Sequence, residues 1–517
     1  MCLTFKERFG ISFPALFAVV LGVFMAILDT TVVNVAIPKM MAVFNATQDD
    51  MQWVITAYLL VTGMLTPVSG YLGDRFGQKK IYLFALAVFT LGSALCGMAW
   101  STESLIFFRV LQAVGGAMLM PVSMTILFSL SKPERRGTIM GIWGIALMFA
   151  PALGPTLSGY LVEYVDFRLI FYINVPIGIF SFFLVGATIP DFPARHTETL
   201  DLPGLLTSVS GFFCLLYALS EGPTDGWNSI TIISLFFAAA VLLAMWVVIE
   251  LTSENPMLDL RLFKRKVFTV SILTTSLLSV AMLGALFILP VFLQNGLGLT
   301  PLQTGLLTLP GALVTGILMP ISGFLFDRIG ARLLGVIGLL VLMLTTFQMV
   351  NMNYDWTFGA ILMIYMFRQA GMGLAMMPLS TAGLNDVPRD KVSRATALQN
   401  TTRNIAGSIG TAFLSTVMQT NTTVHLAQLL QRTTVQAFQG FHVAGQLPTV
   451  FGPASRQVVS TWMSVIEQIA FEKGTQDAFG ASAVIALIAW VAVFFIGKKR
   501  PPVGIQEGEQ PHMMMME

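Results

Sequence analysis

Charged side chains are scarce in this sequence. Asp, Glu, Lys and Arg make up 11% of its 517 residues, whereas 55% are hydrophobic and the mean hydropathy is +0.77. A water-soluble protein needs more charged surface, because about a quarter of an average soluble chain is charged. The composition therefore excludes a soluble globular protein and predicts a chain whose solvent is mostly lipid. The net charge of +2 is small, and nothing in its distribution indicates a nucleic-acid-binding face.

Cysteine and histidine are also rare, so we expect no metal site and no cofactor. The cysteine spacing fits neither a disulfide framework nor a metal site, and all four histidines fall outside the long apolar runs. Those runs contain no paired carboxylates, which disfavours a membrane enzyme. The sequence also lacks a G-x-x-x-x-G-K-[ST] phosphate loop, which disfavours an ATP-driven pump. The residues concerned are Cys2, Cys96, Cys214, His196, His425, His442 and His512.

The sequence has instead many long apolar runs. A transmembrane helix needs about 20 mostly apolar residues, and fourteen such stretches can be counted. The first is too long for the apolar core of a secretory signal, so we expect it to be retained as a span. The stretches lie at roughly 13–37, 53–72, 81–100, 104–128, 139–161, 169–189, 202–219, 230–251, 267–292, 303–326, 333–350, 358–380, 395–419 and 479–496.

Lysine and arginine are unevenly divided between alternate loops. Of the 29 in the chain, five lie in segments on the outer side and three within spans, which leaves 21 on the side of the N-terminus. Because basic residues collect on the cytoplasmic side, both termini are predicted to be cytoplasmic, with the chain in the cytoplasmic (inner) membrane. The five outer residues are Lys39, Arg168, Arg432, Arg456 and Lys473.

Two polar segments, at 190–200 and 252–266, isolate spans seven and eight as an inserted pair between two groups of six. A third polar segment, at about 420–476, is expected to be an outer loop, partly helical and interfacial. The predicted parts are an N-terminal six-helix bundle at 1–190, a linker with two extra helices at 191–265, and a C-terminal six-helix bundle with a cytoplasmic tail at 266–517.

The most specific signal is an internal repeat. Ten residues from Gly70 to Lys79 recur 253 residues later, from Gly323 to Arg332, each time between the second and third spans of a six-span group. A fainter echo relates Arg109 to Arg368, each preceded by phenylalanine. Parallel halves with a site between them are a design of alternating-access transporters. The repeated positions are Gly70, Asp74, Arg75, Gly77 and Lys79 with Gly323, Asp327, Arg328, Gly330 and Arg332.

The repeated loop resembles the signature loop of the major facilitator superfamily, which serves as a cytoplasmic latch between the halves. Its glycines allow helix ends to approach closely, and Asp74 can cap a helix N-terminus. A tight basic turn that only sets topology is the alternative, but it hardly explains two copies at matched positions. The stretches Leu28 to Pro38 and Phe171 to Gly178 are similar to the fourteen-helix drug:proton antiporters of the EmrB/QacA type.

The resemblance covers essentially the whole chain. It implies an all-α integral membrane protein with the major facilitator fold, built as two pseudo-symmetric six-helix bundles plus two inserted helices. It further implies export of amphipathic drugs or toxic compounds, driven by the proton-motive force. A dedicated exporter of one endogenous metabolite, antibiotic or siderophore is the alternative. The expected partners are small-molecule substrates, protons and membrane lipids, with a periplasmic adaptor protein possible.

Asp29 and Arg109 are charged residues inside predicted spans. Such a charge costs about 2.5–3.5 kcal/mol at mid-membrane, so its presence needs a reason. At 1.5 Å per residue, Asp29 should lie about 12 Å and Arg109 about 8 Å below the outer surface, which are compatible depths. Either they form a structural ion pair, or Asp29 couples transport to protons. Burial favours its neutral form, whereas a neighbouring guanidinium favours the carboxylate.

The fifth span carries Pro151, Gly154, Pro155 and Gly159. Each proline removes a backbone donor and the glycines permit close approach, so we expect a bent, tightly packed helix. This stretch resembles the antiporter motif of the family, which implies a place at the interface between halves and a bias towards export. A packing kink alone is the alternative.

Arg368 and Arg403 should both lie near mid-membrane, and the C-terminal half offers no carboxylate at that depth. They either face a central cavity and favour acidic substrates, or they bond to carbonyls and amides. The residues that we predict for the substrate cavity are Asn34, Gln112, Arg368, Asn400 and Arg403.

Overall fold

A computed structural model describes residues 5–192, 201–444 and 453–497, and every regular element in these ranges is helical. Runs of apolar residues with few polar interruptions form the helices, because only a helix satisfies its backbone hydrogen bonds internally in lipid. The long helices are α1 Phe13–Phe44, α2 Gln48–Phe76, α3 Gln78–Gly97, α4 Thr102–Leu130, α5 Arg136–Tyr164, α6 Asn174–Thr188, α7 Leu202–Asp225, α8 Ile230–Thr252, α9 Lys266–Val291, α10 Pro301–Ile329, α11 Ala331–Met349, α12 Phe358–Asn385, α13 Val392–Ala444 and α14 Pro453–Val493.

Short elements complete these ranges. A single turn, Leu169–Tyr172, precedes α6, and a π-helical turn, Phe292–Gly296, follows α9. The remaining short helices are Phe5–Phe9, Pro133–Arg135, Leu260–Lys264 and Arg389–Lys391.

Helices α1–α6 pack together as one group and α9–α14 as a second group. The two groups, here called the N-terminal half and the C-terminal half, meet along two seams. In one seam α5 packs against α10, and in the other α2 packs against α13. We call the end of the molecule that carries the two repeated loops the repeat end, and the opposite end the far end.

Glycines at the repeat end allow the tight geometry that the repeat requires. Gly77 and Gly330 occupy matched positions and have φ values of +93° and +85°, which a residue with a side chain rarely adopts. Each ends one helix and begins the next. Gly323 also lies against Gly137 of α5, and a methyl group added there would overlap with the Gly137 carbonyl. The repeated glycines therefore set both the turn and the contact between halves.

The inserted helices lie outside the two halves. Helix α7 packs against α2 and α13 and so covers that seam, whereas α8 packs mainly on α7. Only 17% of the most apolar stretch of α8 is buried, and this fits a helix whose surface faces lipid. The segment after α8 returns to the seam, because Met257 is buried against Val68 and Tyr71 of α2.

Thirteen of the described helices are long and apolar enough to cross a membrane, one fewer than the fourteen stretches counted in the sequence. The difference is the span predicted at 395–419, which lies within α13. That helix is too polar to meet the criterion, yet it packs along α9, α14 and α2. Its polar residues face protein rather than lipid: Thr396 is 0% exposed and Asn400 is 2% exposed.

The outer segment predicted at about 420–476 is largely an extension of two helices. Residues 420–444 continue α13, and residues 453–476 are the first part of α14. Asp477 links the pair by accepting a hydrogen bond from Asn421 at 2.9 Å and lying 2.9 Å from His425. The predicted partial helicity is therefore found. The predicted tail after residue 497 lies outside the described residues.

Candidate functional site

Asp29 and Arg109 meet in the interior of the N-terminal half. The Arg109 Nη1 atom lies 2.5 Å from Asp29 Oδ2, and the two side chains are 1% and 0% exposed. Asp29 comes from α1 and Arg109 from α4, which run in opposite directions, so similar depths from the far end bring them together. Both residues are buried away from lipid and water.

Three more polar side chains complete a network around the Asp29 carboxylate. The second oxygen, Oδ1, accepts hydrogen bonds from Gln112 Nε2 at 3.0 Å and Asn174 Nδ2 at 2.8 Å. Both amides also donate to Ser93 Oγ at 3.0 Å. Ser93 lies on α3, Gln112 on α4 and Asn174 on α6, so four of the six helices of this half contribute to one network, here called the Asp29 network.

Helix α2 supplies two further contacts of Arg109. The Val54 carbonyl accepts a hydrogen bond from Nε at 3.3 Å, and the guanidinium carbon lies 4.2 Å from the centre of the Tyr58 ring. Arg109 Nη1 also donates to Gln112 Oε1 at 2.8 Å. A carboxylate, an amide, a carbonyl and an aromatic face thus stabilise this buried cation.

In this geometry, protonation of Asp29 would change the hydrogen bonds of the whole network. As a carboxylate it accepts one hydrogen bond from a cation and two from amides; as a neutral acid it loses the charge attraction to Arg109 and gains a donor. The network would then rearrange among helices α1, α3, α4 and α6. Among the described residues, no group of His, Cys, Asp and Glu side chains could hold a metal ion.

Asp327, in the second repeated loop, caps a helix of the opposite half. Its two carboxylate oxygens accept hydrogen bonds from the backbone N–H groups of Gly137 at 2.8 Å and Thr138 at 2.9 Å, in the first turn of α5. The Thr138 hydroxyl donates to it at 2.6 Å. This arrangement satisfies otherwise unpaired N–H groups and places a negative charge at a helix N-terminus.

Asp74, in the first repeated loop, lies near the start of α13 in the opposite half. Its Oδ2 atom is 3.4 Å from Arg394 Nε. Nearby, Gln78 Nε2 donates to Ser393 Oγ, which donates to the Gly70 carbonyl, both at 2.8 Å. Its counterpart Asp327 makes a cap of the kind expected for Asp74, and Asp74 forms an ion pair across the halves.

The basic residues of the repeated loops mostly make local contacts. Arg75 donates to the Tyr71 hydroxyl at 2.8 Å, Lys79 lies 3.3 Å from Asp191, and the Arg328 guanidinium lies 4.3 Å from the Phe324 ring centre. Arg332 is exposed.

The two halves are joined by polar contacts only over part of their length. In addition to the contacts of the two loops, Thr125 and Thr396 hydroxyls lie 2.5 Å apart and Arg136 donates to Asn385 at 3.0 Å. Within the described ranges, every hydrogen bond between the halves lies between mid-span and the repeat end. The structure is therefore closed at the repeat end, while the far ends of the two halves make no such contact.

Helix α5 connects the Asp29 helix to the seam between halves. Gly154 lies against the Thr31 side chain of α1, and the Ser158 hydroxyl donates to the Val32 carbonyl at 2.6 Å. Pro155 is in the same stretch of α5. Gly159 differs from the expectation of close packing, because a methyl group added there would meet nothing within 4 Å. Gly159 points away from α1, so only Gly154 permits close approach.

Pro151 of α5 lines a cavity of about 90 Å³ between the halves. The opposite wall contains Arg368, which is 2% exposed and donates to the Ala281 carbonyl at 2.8 Å and the Thr346 hydroxyl at 3.2 Å. Arg368 thus both lines the cavity and bonds to neighbouring oxygens.

The other residues predicted for a substrate cavity lie elsewhere. Arg403 donates to Asn400 Oδ1 and approaches Met120 Sδ, each at 3.0 Å, across the seam from α4. Gln112 belongs to the Asp29 network, and Asn34 is exposed on α1. In the described part of the chain, these five side chains therefore make separate sets of contacts.

Sequence reasoning did not single out Ser93, Asn174, Tyr58 or Glu250 as site residues. Asn174 lies in the family-like stretch Phe171 to Gly178, and this was the available signal. Ser93 and Tyr58 had no such signal in the sequence, because uncharged polar residues are common in spans. Glu250, near the end of α8, is 0% exposed and accepts hydrogen bonds from Trp246 at 2.9 Å and the Leu258 N–H at 3.0 Å.

Comparison with known proteins agrees with this architecture. The family model described as Major Facilitator Superfamily matches residues 19–411. The chain is 42% identical over 412 residues to an uncharacterized MFS-type transporter, YhcA, of Bacillus subtilis (strain 168), covering 80% of this chain and 77% of YhcA. It is 32% identical over 500 residues to the multidrug export protein EmrB of Haemophilus influenzae, covering 95% of this chain and 96% of EmrB.

A solved structure shares the fold. The proton:xylose symporter XylE superposes with a TM-score of 0.60 at 14% sequence identity, covering 94% of this chain and 96% of that chain.

Proposed function

The chain belongs to the major facilitator superfamily and is a multi-pass membrane transporter, and we propose that it is a proton-coupled antiporter that exports amphipathic compounds. The similarity to a multidrug export protein over 95% of the chain supports the direction and the substrate range. The observation that carries the proton coupling is the Asp29 network, in which a titratable acid is completely buried within the membrane-spanning part of the chain.

Protonation of Asp29 is the step through which coupling would occur. A proton that enters from the outside neutralises the carboxylate and weakens its attraction to Arg109. The helices of the N-terminal half then adopt a new arrangement, and α5 carries the change to the seam through its contacts with Thr31 and Val32. Release of the proton on the inside restores the ion pair.

The state described here corresponds to one end of an alternating-access cycle. The basic residues of the repeated loops place the repeat end in the cytoplasm by the positive-inside rule, so closure at that end makes this conformation outward-facing. In the inward-facing state the Asp327 cap on α5 and the Asp74–Arg394 pair must both open. Both termini are then cytoplasmic and the chain lies in the cytoplasmic membrane.

The membrane potential supplies enough energy for export without ATP. Each proton that moves inward releases about 2.3 kcal/mol of free energy per 100 mV of membrane potential, and a pH gradient adds to this. At about 1.4 kcal/mol for each tenfold ratio, this can sustain a concentration gradient of more than tenfold for an uncharged substrate.

The test compares the wild type with Asp29→Asn in everted membrane vesicles. A panel of amphipathic dyes and antibiotics of positive, neutral and negative charge is offered, and substrate accumulation is recorded together with proton movement. We expect the vesicles to accumulate several of the compounds and to release protons in exchange. Asp29→Asn should lose accumulation against a gradient at least about tenfold while it retains downhill movement, because the amide cannot be protonated.

Glu250→Gln is the matched control, because Glu250 is also a completely buried carboxylate but lies in the inserted helix α8. It should retain coupled export. If Asp29→Asn accumulates substrates and moves protons as the wild type does, Asp29 is not the coupling residue. Accumulation of one compound alone would indicate instead a dedicated exporter of one product.

A further inference from the structure

The C-terminal half contains the counterpart of the Asp29 network, but without its acid. The repeat relates Asp74 to Asp327 by an offset of 253 residues, and the same offset relates Asp29 to Met282 and Ser93 to Thr346. Arg368 donates to Thr346 and to the carbonyl of Ala281, the residue before Met282. Arg368 donates to Thr346 as Gln112 donates to Ser93, so Arg368 occupies the position of Gln112, and Met282 stands at the position of Asp29.

Several N–H groups of Arg368 form no hydrogen bond with the described residues. A guanidinium carries five N–H groups, and within the described part of the chain only Nε and Nη2 of Arg368 form hydrogen bonds. The side chain is 2% exposed, and no carboxylate of the described residues forms an ion pair with it. A charge buried in a membrane protein pairs with an opposite charge or with backbone carbonyls, and among the described residues Arg368 has a carbonyl but no carboxylate as partner.

The free side of Arg368 borders the cavity between the halves. Its volume is about 90 Å³, and its walls include Leu147 and Met148 of α5, Met282 of α9, and Tyr365 and Gln369 of α12. Since a water molecule takes up about 30 Å³ in the liquid, this space holds a few waters or one small polar group. The walls are apolar apart from Arg368, Gln369, Thr308 and the Tyr365 hydroxyl, so charge recognition is concentrated at one point.

The chemistry of this cavity selects an amphipathic anion. A carboxylate fits a guanidinium with two parallel hydrogen bonds, and the apolar body of the same molecule would contact the methionine and leucine side chains. Because the cavity is far smaller than the 300–1,000 Å³ of a typical ligand site, only the acidic group fits inside, and the rest of the molecule must extend along the α5–α10 seam.

We propose that Arg368 binds the carboxylate of an amphipathic acid, which takes the place of the acid missing from the C-terminal half. This inference rests on the proposed transport function and names a substrate class for it. Pro151 of α5 lines the same cavity, while Gly154 of α5 contacts the Asp29 helix. An anion on Arg368 and a proton on Asp29 therefore act on the same helix.

The test measures equilibrium binding to the purified full chain in detergent, without a proton gradient. Three acids, namely benzoate, 1-naphthylacetate and octanoate, are each compared with the corresponding primary amide by calorimetry. The wild type should bind at least one acid more than tenfold tighter than its amide. Arg368→Gln should abolish that preference, and Arg368→Lys should keep part of it, because the charge remains but the paired hydrogen bonds do not.

Met282→Asp provides a second variant that keeps the arginine. It places a carboxylate at the position of Asp29 in the repeat, so it should pair with Arg368 and remove the preference for acids. Arg168→Gln is the matched control, because Arg168 also donates to a backbone carbonyl, that of Gly97 at 2.6 Å, but lies outside the cavity. It should keep the preference.

The proposal is overturned if the wild type prefers none of the acids to its amide, or if Arg368→Gln, shown by gel filtration to be folded, keeps the preference. It is also overturned if Arg168→Gln loses the preference as fully as Arg368→Gln. Failure of the proton-coupled mechanism would be seen separately, as unchanged export by Asp29→Asn in vesicles, and leaves the binding result interpretable.

Discussion

Each half of the protein buries an arginine among its helices, yet the two charges are stabilised differently. Arg109 in the N-terminal half lies against a carboxylate, an amide and an aromatic ring, all supplied by the protein. Among the described residues, the hydrogen-bond partners of Arg368 in the C-terminal half are a hydroxyl and a backbone carbonyl. The N-terminal half therefore neutralises its buried charge internally, whereas our proposal assigns this role in the C-terminal half to a bound anion.

This difference suggests a division of work within a duplicated fold. A closed hydrogen-bonded network suits a proton, which needs only a titratable group and a route. An unmatched cation beside a cavity suits a larger ligand that brings its own charge. Duplication supplies the arrangement twice, and differences at several positions of one copy could separate the two roles.

The largest effect is expected when the stabilities of variants that lack Arg109 or Arg368 are compared. Arg109→Gln leaves Asp29 buried without its counter-ion, so we expect a loss of about 3–5 kcal/mol in the free energy of unfolding. Arg368→Gln leaves no acid unpaired and removes two hydrogen bonds, so it should cost less, about 1–2 kcal/mol. Denaturant unfolding of both purified variants checks this difference, and equal losses would remove the basis of the comparison.

A double-mutant cycle sharpens the same comparison. Met282→Asp should be tolerated beside Arg368 and poorly tolerated in the Arg368→Gln background, because only the former provides a counter-ion. The expected coupling energy is about 1–3 kcal/mol, which is within the range for residues in direct contact. A coupling energy near zero would mean that position 282 does not face Arg368 as Asp29 faces Arg109.

The two repeated loops allow a third contrast. Asp327→Ala removes a cap from α5 and should cost about 1–2 kcal/mol of closure at the repeat end, whereas Asp74→Ala removes the longer Asp74–Arg394 contact and should cost less. Closure is measured by the alkylation rate of Thr396→Cys, with native cysteines replaced by alanine. Asp327→Ala should raise that rate more than Asp74→Ala does; the reverse order would contradict the capping role.

The smallest effect is expected outside the membrane, in the paired extensions of α13 and α14. Asp477 and His425 are 43% and 26% exposed, so water screens their interaction. Asp477→Asn should change the free energy of unfolding by less than about 0.5 kcal/mol. A loss comparable to that of Arg109→Gln would show that burial does not govern the strength of these ion pairs.

Much of the architecture follows from local sequence patterns. Apolar runs of sufficient length predicted thirteen helices that meet the criteria for a span, and the repeat located the matched loops. The span at 395–419 shows where this reasoning is weakest. Its polar residues are buried against α9, α14 and α2. A local sequence pattern does not show which helices will pack against a given span.

The candidate site was predictable only in part. Asp29 and Arg109 stand out because charged residues in apolar spans are rare, and their depths could be matched by counting residues. Ser93 and Asn174 complete the network but look like ordinary polar residues. Arg368 and Arg403 were equivalent in the sequence, and only packing shows that one lines the cavity while the other contacts Asn400 and Met120.

The sequence by itself determined the membrane location, the helical class, the duplication and the pair Asp29–Arg109, because these depend on composition, length and spacing. Tertiary structure decided that Asp327 caps α5, that the halves are closed at the repeat end, and that Met282 and Arg368 line the same cavity. The reason is physical: a charge in a low-dielectric interior is defined by the side chains within a few ångströms, and those come from helices far apart in the chain.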